Sequence, residues 1–562
     1  MRPSPADDPM TPRHWFMLIG TLLVALLPGF FTLPPTDRDE ARYSQASIQM
    51  METGDYVDIR FQDQPRWVKP AGIYWMQVAT ATPFGGPDAP IWAFRLPSLL
   101  GVLAAAAMTA WLGARMGGAM TGIIAGLLLG LTLMAAVEAR TAKTDAMLLA
   151  AGTAAQIALF RLIVPAGPVR PRFWGWPALF WAATGAALMI KGPIVSLVTL
   201  FTLLTFALWT KDGWRVVPKL RPLPGLALAV AIAAPWLVAI NVQTDGGFFM
   251  ESVGHALLGK VAESDDSHAG PPGYHTLLLA LTFWPGTALL GLAGVAAWQN
   301  RDDRAHQFLI SWFVPTLLLF ELIATKLPHY IFPAFPALAL LAALGARDGV
   351  AYAAGRAGRI LHSAALILAL LATGVIASLP VIIAKMVGTD ILLGFTGLAL
   401  VFAVIVAGGL VAMRRGDMGG RALPAVILGA IGLYGTVFGG VLPRLDPLWP
   451  SAQVAKIVNS LEGCPTRRAI TAGYREPSTV FHLGTETLLA NTGEQAAAAL
   501  VAAPECSLAI IDITEQVGFF TALADSDLAV EKVGTVTGLN MAKGDQLLLE
   551  IYISADSALA QR

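Results

Sequence analysis

Apolar runs of roughly 20 residues, separated by short polar breaks, dominate the chain as far as residue 443. Roughly 20 mostly apolar residues are what a helix needs to cross a bilayer. By that measure the spans fall at 14–33, 91–112, 119–137, 145–164, 174–190, 193–210, 222–242, 274–297, 306–325, 330–346, 359–384, 391–413 and 422–442, which predicts about thirteen membrane helices. The pair 174–190 and 193–210 is parted only by Lys191-Gly192-Pro193, which reads as a tight turn. No small-x-small cleavage site follows the first run, so it reads as an uncleaved helix.

Two stretches break this pattern. Residues 34–90 form a densely charged loop that contains DRDEARYSQASIQMMETGDY from Asp37 onward. Within it, Ser44–Thr53 alternates as an amphipathic helix, with Ile48 and Met51 on one side and Gln45, Gln49 and Glu52 on the other. A second such helix is expected at Ala71–Thr80, after the bend at Pro70. Both suit a membrane surface, with Trp67, Tyr74 and Trp75 as anchors. From Arg444 onward, short β-rich runs (RRAITAGY, SLAIIDI) flank an Ala-rich helical run, GEQAAAALVAA. This predicts a soluble α/β domain over 444–562, following a membrane domain over 1–443. Cys464 and Cys506 both lie in it; a disulfide and a pair of buried thiols are the two readings.

Composition agrees with a membrane protein. Of 562 residues, 55% are hydrophobic and 14% charged, and the mean hydropathy is +0.62. Soluble domains carry about 25% charged residues. The formal net charge is zero, which offers no bulk basicity for a nucleic-acid partner. Alternate connections, holding Arg115, Arg161, Lys219, Arg301, Arg356 and Arg414 among others, are rich in Arg and Lys. The positive-inside rule makes those cytoplasmic, together with the N-terminus. The charged loop, the segment EARTAKTD at 138–145, Lys191, the 243–273 loop and TKLPHY at 325–330 then share the outer face with the C-terminal domain.

That outer face carries the candidate chemistry. Asp39 and Glu40 lie a few residues from hydrocarbon, where uncompensated charge is costly. Arg42 and Lys69 supply countercharge for an anion, and Asp145, Lys191, His255, Lys260, Lys326, His329 and Tyr330 come to the same level. Arg and Lys suit a phosphate, and a carboxylate beside it can act as base or stabilise charge on a sugar ring. A phosphate at this depth belongs to a lipid. The expected chemistry is sugar transfer from a lipid phosphate. Transporters instead place ionisable groups mid-membrane on broken helices; here they gather at span ends, apart from cases such as Glu321. His268 has no metal-ligand spacing, Trp284 reads as packing or a sugar platform, and Arg475-Glu476 reads as a surface turn.

The quoted loop, WVKPAGIYW, RTAKTDAML, MIKGP and TKLPHYIFPAFPAL together resemble the lipid-linked sugar transferases of GT-C fold. The nearest groups are the lipid A aminoarabinose transferases and the protein O-mannosyltransferases. GYREPSTVFHLG in the tail resembles the outer domain of the bacterial members. The resemblance implies a multi-pass protein of the bacterial inner membrane, a polyprenyl-phosphate-sugar donor and a lipid or glycan acceptor. It assigns Asp39, Asp145 and, more weakly, Glu40 as catalytic acids, and Arg42, Lys69, Lys191 and Tyr330 as donor-phosphate residues. Lys326 and His329 join them from the same motif, and His255 is a further candidate. One position departs from the family. Val68 stands where aminoarabinose transferases usually carry a Glu that can touch a metal. The resemblance thus implies no required cofactor and leaves a divalent metal open.

Overall fold

The computed structural model describes residues 9–164, 174–210, 213–252, 254, 270–348, 355–388, 393–417, 420–541 and 543–560. His255, Lys260 and His268 lie outside the described residues. The chain opens with α1 (Pro12–Leu26). The charged loop folds into α2 (Asp39–Thr53), a hairpin of β1 (Arg60–Phe61) and β2 (Gln64–Pro65), and α3 (Gly72–Ala81). Then come α4 (Ile91–Gly117), α5 (Ala119–Gly130), α6 (Leu133–Glu138), α7 (Asp145–Ile163), α8 (Gly175–Lys191) and α9 (Ile194–Trp209). Further long helices occupy Pro222–Gln243, Arg304–Leu322, Phe335–Asp348, Arg356–Met386, Leu393–Arg414 and Ala422–Tyr434.

Among the described residues, eight helices are long and apolar enough to cross a membrane, or nine when one bent pair is joined. α1, α5 and α9 are shorter apolar helices. The bent pair, Tyr274–Thr282 and Gly286–Gln299, turns by 110°. Pro285 lies at the break; it has no N–H to continue the ladder. Trp284 beside it is fully buried, and its Nε1 donates to Thr373 Oγ1 at 2.9 Å. It therefore packs the core and is no sugar platform.

Two glycines let the site-bearing helices close up. A Cβ on Gly101 of α4 would sit 2.7 Å from backbone atoms of Ala146, so α4 lies directly on the start of α7. A Cβ on Gly72 would sit 2.5 Å from Met189 O, so α3 begins against the last turn of α8. These contacts fix Asp145, Lys191 and the Lys69 turn relative to one another.

The C-terminal region forms a five-stranded mixed sheet in the order β4-β3-β5-β7-β6. The strands are β3 (Arg468–Ala472), β4 (Leu488–Leu489), β5 (Ser507–Asp512), β6 (Val530–Asn540) and β7 (Asp545–Ser554). β3 pairs in parallel with β4 and β5, while β7 runs antiparallel to β5 and β6. Cys464 and Cys506 are disulfide-bonded.

This domain seats on α2. Gln62 Nε2 donates to Thr485 O at 2.9 Å and to Thr487 O, and Gln45 Nε2 donates to Thr485 Oγ1 at 2.7 Å. Thr485 Oγ1 in turn donates to Glu52 Oε2 at 2.7 Å. An isolated amphipathic helix on a membrane surface would expose its polar side. α2 instead buries nearly everything from Glu40 to Met50, because the polar side that the sequence offers to water is covered by the C-terminal domain. Tyr74, expected as a surface anchor, is fully buried against Tyr43 at a ring separation of 5.4 Å.

Candidate active site at the end of the helical bundle

The charged loop divides into two environments. The first surrounds Glu40, which is fully buried. Its Oε1 accepts from Arg95 Nε at 2.7 Å and from Ala142 N at 2.9 Å. Its Oε2 accepts from Arg95 Nη2 at 3.1 Å, Thr36 N at 2.8 Å and Thr36 Oγ1 at 3.0 Å. Arg95, on α4, spends its remaining donors on the carbonyls of Phe30, Leu33 and Pro34. Every polar atom of this pair is engaged, and none is open to a substrate. Glu40 therefore acts as a clamp that ties the loop to the bundle.

The second environment begins one residue earlier. Asp39 is the exposed first residue of α2, where the positive end of the helix favours a carboxylate. The preceding Arg38 has φ +65°, a left-handed backbone that a non-glycine residue adopts at a cost. Arg42 follows one turn along α2 and is half-buried. From the loop after β2, the Arg66 guanidinium lies over the Tyr43 ring at 4.9 Å. Asp39 interacts electrostatically with Arg42, Arg66, Lys143, His329 and Tyr330, so it is the shared acid of the group. Burial pushes the Tyr43 and Tyr74 hydroxyls well up and up respectively, which keeps both protonated at neutral pH. Burial, and then the neighbouring Arg66, lowers the Arg42 pKa.

The far wall comes from α7, α8 and the turn Pro328–Ala334. Lys191 Nζ donates to Asp145 Oδ1 at 2.6 Å and lies 5.7 Å from the centre of the Tyr330 ring. His329 Nε2 is 3.8 Å from the same Asp145 oxygen. Lys143 Nζ donates to Glu138 Oε1 at 3.0 Å, which extends a row of alternating charge toward the bundle. Lys69 is half-buried in the turn that leads into α3. Lys326 lies apart from this chemistry, because its Nζ donates to Glu321 O at 2.7 Å and Ile323 O at 2.9 Å, closing off its own helix end.

Four residues escaped the sequence reading. Arg66 sat in a run of loop charges with no motif of its own. Glu138 and Lys143 were visible in EARTAKTD, but their five-residue spacing suggested no pairing. Glu476 is 5% exposed and sits at the domain seam, where it acts electrostatically on Arg42 and Asp37. A surface turn was expected there; no local signal shows that a distant domain buries it. Among the described residues no three His, Cys, Asp or Glu side chains converge as a metal centre would require.

Taken with the fold, these features describe a multi-pass membrane protein, with its polar site at one end of the helical bundle and a mixed-sheet domain over it. The fold aligns with the crystal structure of ArnT from Cupriavidus metallidurans bound to undecaprenyl phosphate at a TM-score of 0.72. That alignment covers 96% of this chain and 98% of the other, at 20% identity. The apo form of the same protein aligns at 0.68. Residues 37–244 match the family of dolichyl-phosphate-mannose-protein mannosyltransferases. Two relatives are undecaprenyl phosphate-alpha-4-amino-4-deoxy-L-arabinose arabinosyl transferases. The one from Aeromonas salmonicida is 28% identical over 351 residues, 62% of each chain. The one from Pseudomonas aeruginosa is 29% identical over 328 residues, 57% of this chain and 58% of the other. The matched stretch thus spans less than two thirds of these curated relatives.

Proposed function

We propose that this protein transfers a monosaccharide from undecaprenyl phosphate to an acceptor at the periplasmic face of the bacterial inner membrane. Aminoarabinose transfer to lipid A is the reading favoured by the relatives. One observation carries it: Asp39 shares its field with Arg42, Arg66 and Tyr330 beside the Asp145–Lys191 pair. That is a carboxylate within a ring of anion-binding groups at the end of an apolar bundle. The Arg and Lys asymmetry of the loops supports a cytoplasmic N-terminus, with the site and the 444–562 domain in the periplasm. The thirteen-span reading of residues 1–443, an odd number, is consistent with the N-terminus and the 444–562 domain lying on opposite sides.

In the transfer, the bond between the anomeric carbon and the phosphate oxygen breaks, and its electron pair leaves with the phosphate. Arg42, Lys69 and Tyr330 stabilise the charge that collects there. The acceptor oxygen attacks the opposite face, which inverts the centre. Asp39 takes the proton of a hydroxyl acceptor, or orients a phosphate acceptor that is already ionised. Asp145 pairs with Lys191 and positions that lysine and His329. The step needs no metal, because cations already face the leaving group.

Val68 in place of the usual Glu favours a second reading within the same class. There the sugar is a hexose or uronic acid and the acceptor another envelope glycan or a protein. A flippase is the alternative of a different class. The deciding experiment is purified protein in lipid nanodiscs with a labelled undecaprenyl-phosphate sugar and lipid A. Mass spectrometry of the products should show a sugar-modified acceptor with wild type and none with Asp39→Asn. Translocation of donor without any transferred sugar sinks the enzyme reading.

A further inference from the structure

Resting on the reading just given, we infer that Arg66 is a second guanidinium of the donor-phosphate seat, and that Asp39 is its resting counterion. Three observations carry this. First, Arg66 is held in place. Its cation lies over the Tyr43 ring at 4.9 Å, with Tyr74 packed behind at 5.4 Å from Tyr43. Its backbone N–H donates to Ile59 O at 2.8 Å.

Second, its hydrogen bonding is incomplete. Arg66 Nε is buried without a hydrogen-bond partner, and the guanidinium lies beside the Tyr74 hydroxyl, with which it interacts. Buried donors are rarely left so, and where they are, a missing ligand or water is the ordinary cause. Buried Arg95 and Arg140 of the same protein are filled by carboxylate or carbonyl oxygens.

Third, Arg66 and Arg42 repel one another. Among the described residues neither reaches a carboxylate at ion-pair distance. Asp39 balances them only from farther away. Two like charges brought together in a half-buried site call for an anion between them. A phosphate monoester or diester, with several acceptor oxygens, answers two guanidiniums better than a single carboxylate does. When the phosphate enters, Asp39 is relieved as counterion and turns to the acceptor.

The test is binding, measured without turnover. Full-length protein in nanodiscs is titrated with undecaprenyl phosphate and, separately, with undecaprenol, and read by native mass spectrometry. Wild type should prefer the phosphate. Arg66→Gln should lose about tenfold or more of that preference while holding undecaprenol as wild type does. Arg66→Lys should recover part of it, since it restores charge but not the fork. Asp39→Asn should bind the phosphate more tightly than wild type, and that gain should shrink in the Arg66→Gln background, a coupling that a merely structural Arg66 does not produce. If wild type prefers the phosphate and Arg66→Gln keeps that preference, the assignment of Arg66 is wrong and the proposed function stands. If wild type shows no preference, the proposed function falls with it.

Discussion

Glu40 and Asp39 are neighbours in sequence and opposites in environment. Glu40 is fully buried, meets Arg95 head-on and accepts five hydrogen bonds. Asp39 is exposed and faces arginines that it does not touch at ion-pair distance. Both acids sit beside cations near a membrane, so charge alone does not tell them apart. Saturation does. A pair whose every lone pair is answered can only hold the chain in place, whereas a pair that leaves donors unanswered has room for another molecule. The positive end of α2 lies under both acids, but the α2 periodicity turns Glu40 toward the bundle and Asp39 away from it.

The sharpest test of this contrast is to break each side separately. Arg95→Leu leaves Glu40 buried without its cation, which costs about 3–5 kcal/mol. The expected outcome is loss of monodisperse protein on size-exclusion chromatography and a large drop in thermal midpoint. The double replacement Glu40→Leu with Arg95→Leu should recover much of that loss, since two apolar side chains leave no stranded charge. Should the single variant be as stable as wild type, the clamp does not act as described. Asp39→Asn is expected to behave in the other way. Its thermal midpoint should stay near wild type while transfer falls by about 10²–10⁴-fold, the usual range for a positioned acid or base. A variant that lost stability and activity in parallel would erase the distinction between the two acids.

Much of this was legible beforehand. The apolar runs located the helices, because a bilayer imposes a length and composition that few other environments require. The short β-rich runs after the last apolar stretch announced a sheet in the C-terminal region. The motif residues Asp39, Arg42, Asp145, Lys191, His329 and Tyr330 converge because short turns return each helix end to the same level. What stayed hidden depends on contacts distant in sequence. Nothing near Glu40 announces Arg95 as its partner, 55 residues away. Nothing near Glu52 or Gln62 announces Thr485, more than 400 residues on. The polar side of α2 therefore read as a solvated surface when it is an interface between domains. Arg66 was passed over because a loop arginine gives no periodic signal; only its stacking on Tyr43 marks it out.

That interface offers a smaller perturbation. Gln62 makes two of the bonds that seat the C-terminal domain on the site. Gln62→Ala removes both, for about 1–3 kcal/mol at 0.5–1.5 kcal/mol each. Because the loss falls on the seam and not on the bundle, the membrane domain should melt as wild type does. Hydrogen exchange should quicken in the Pro477–Leu483 helix and in α2. Transfer should fall only as far as the looser domain disturbs Arg42 through Glu476. Unchanged exchange across the seam would mean that Gln62 does not hold the two parts together.

The subtlest expectation concerns Asp37, two residues before Asp39, which belongs to neither environment. Its Oδ1 accepts from Ser478 N at 3.1 Å, at the start of the Pro477–Leu483 helix. Burial, with the nearby Glu476 carboxylate adding to it, pushes its pKa up from 3.8 to about 6. The docked arrangement therefore holds a proton that a separated one releases. Its contribution to docking is fully present below the ordinary carboxylate pKa of 3.8 and is lost as the pH rises through about 6. Exchange protection of the Pro477–Leu483 helix should accordingly be greater near pH 5 than near pH 7, by about 1 kcal/mol once solvent screening at this partly exposed seam is allowed for. Asp37→Asn, which cannot ionise, should hold the pH 5 level of protection at both values and flatten the profile between them. A steep dependence that survives in Asp37→Asn would shift the titration to another group at the seam, with Glu476 the first to replace.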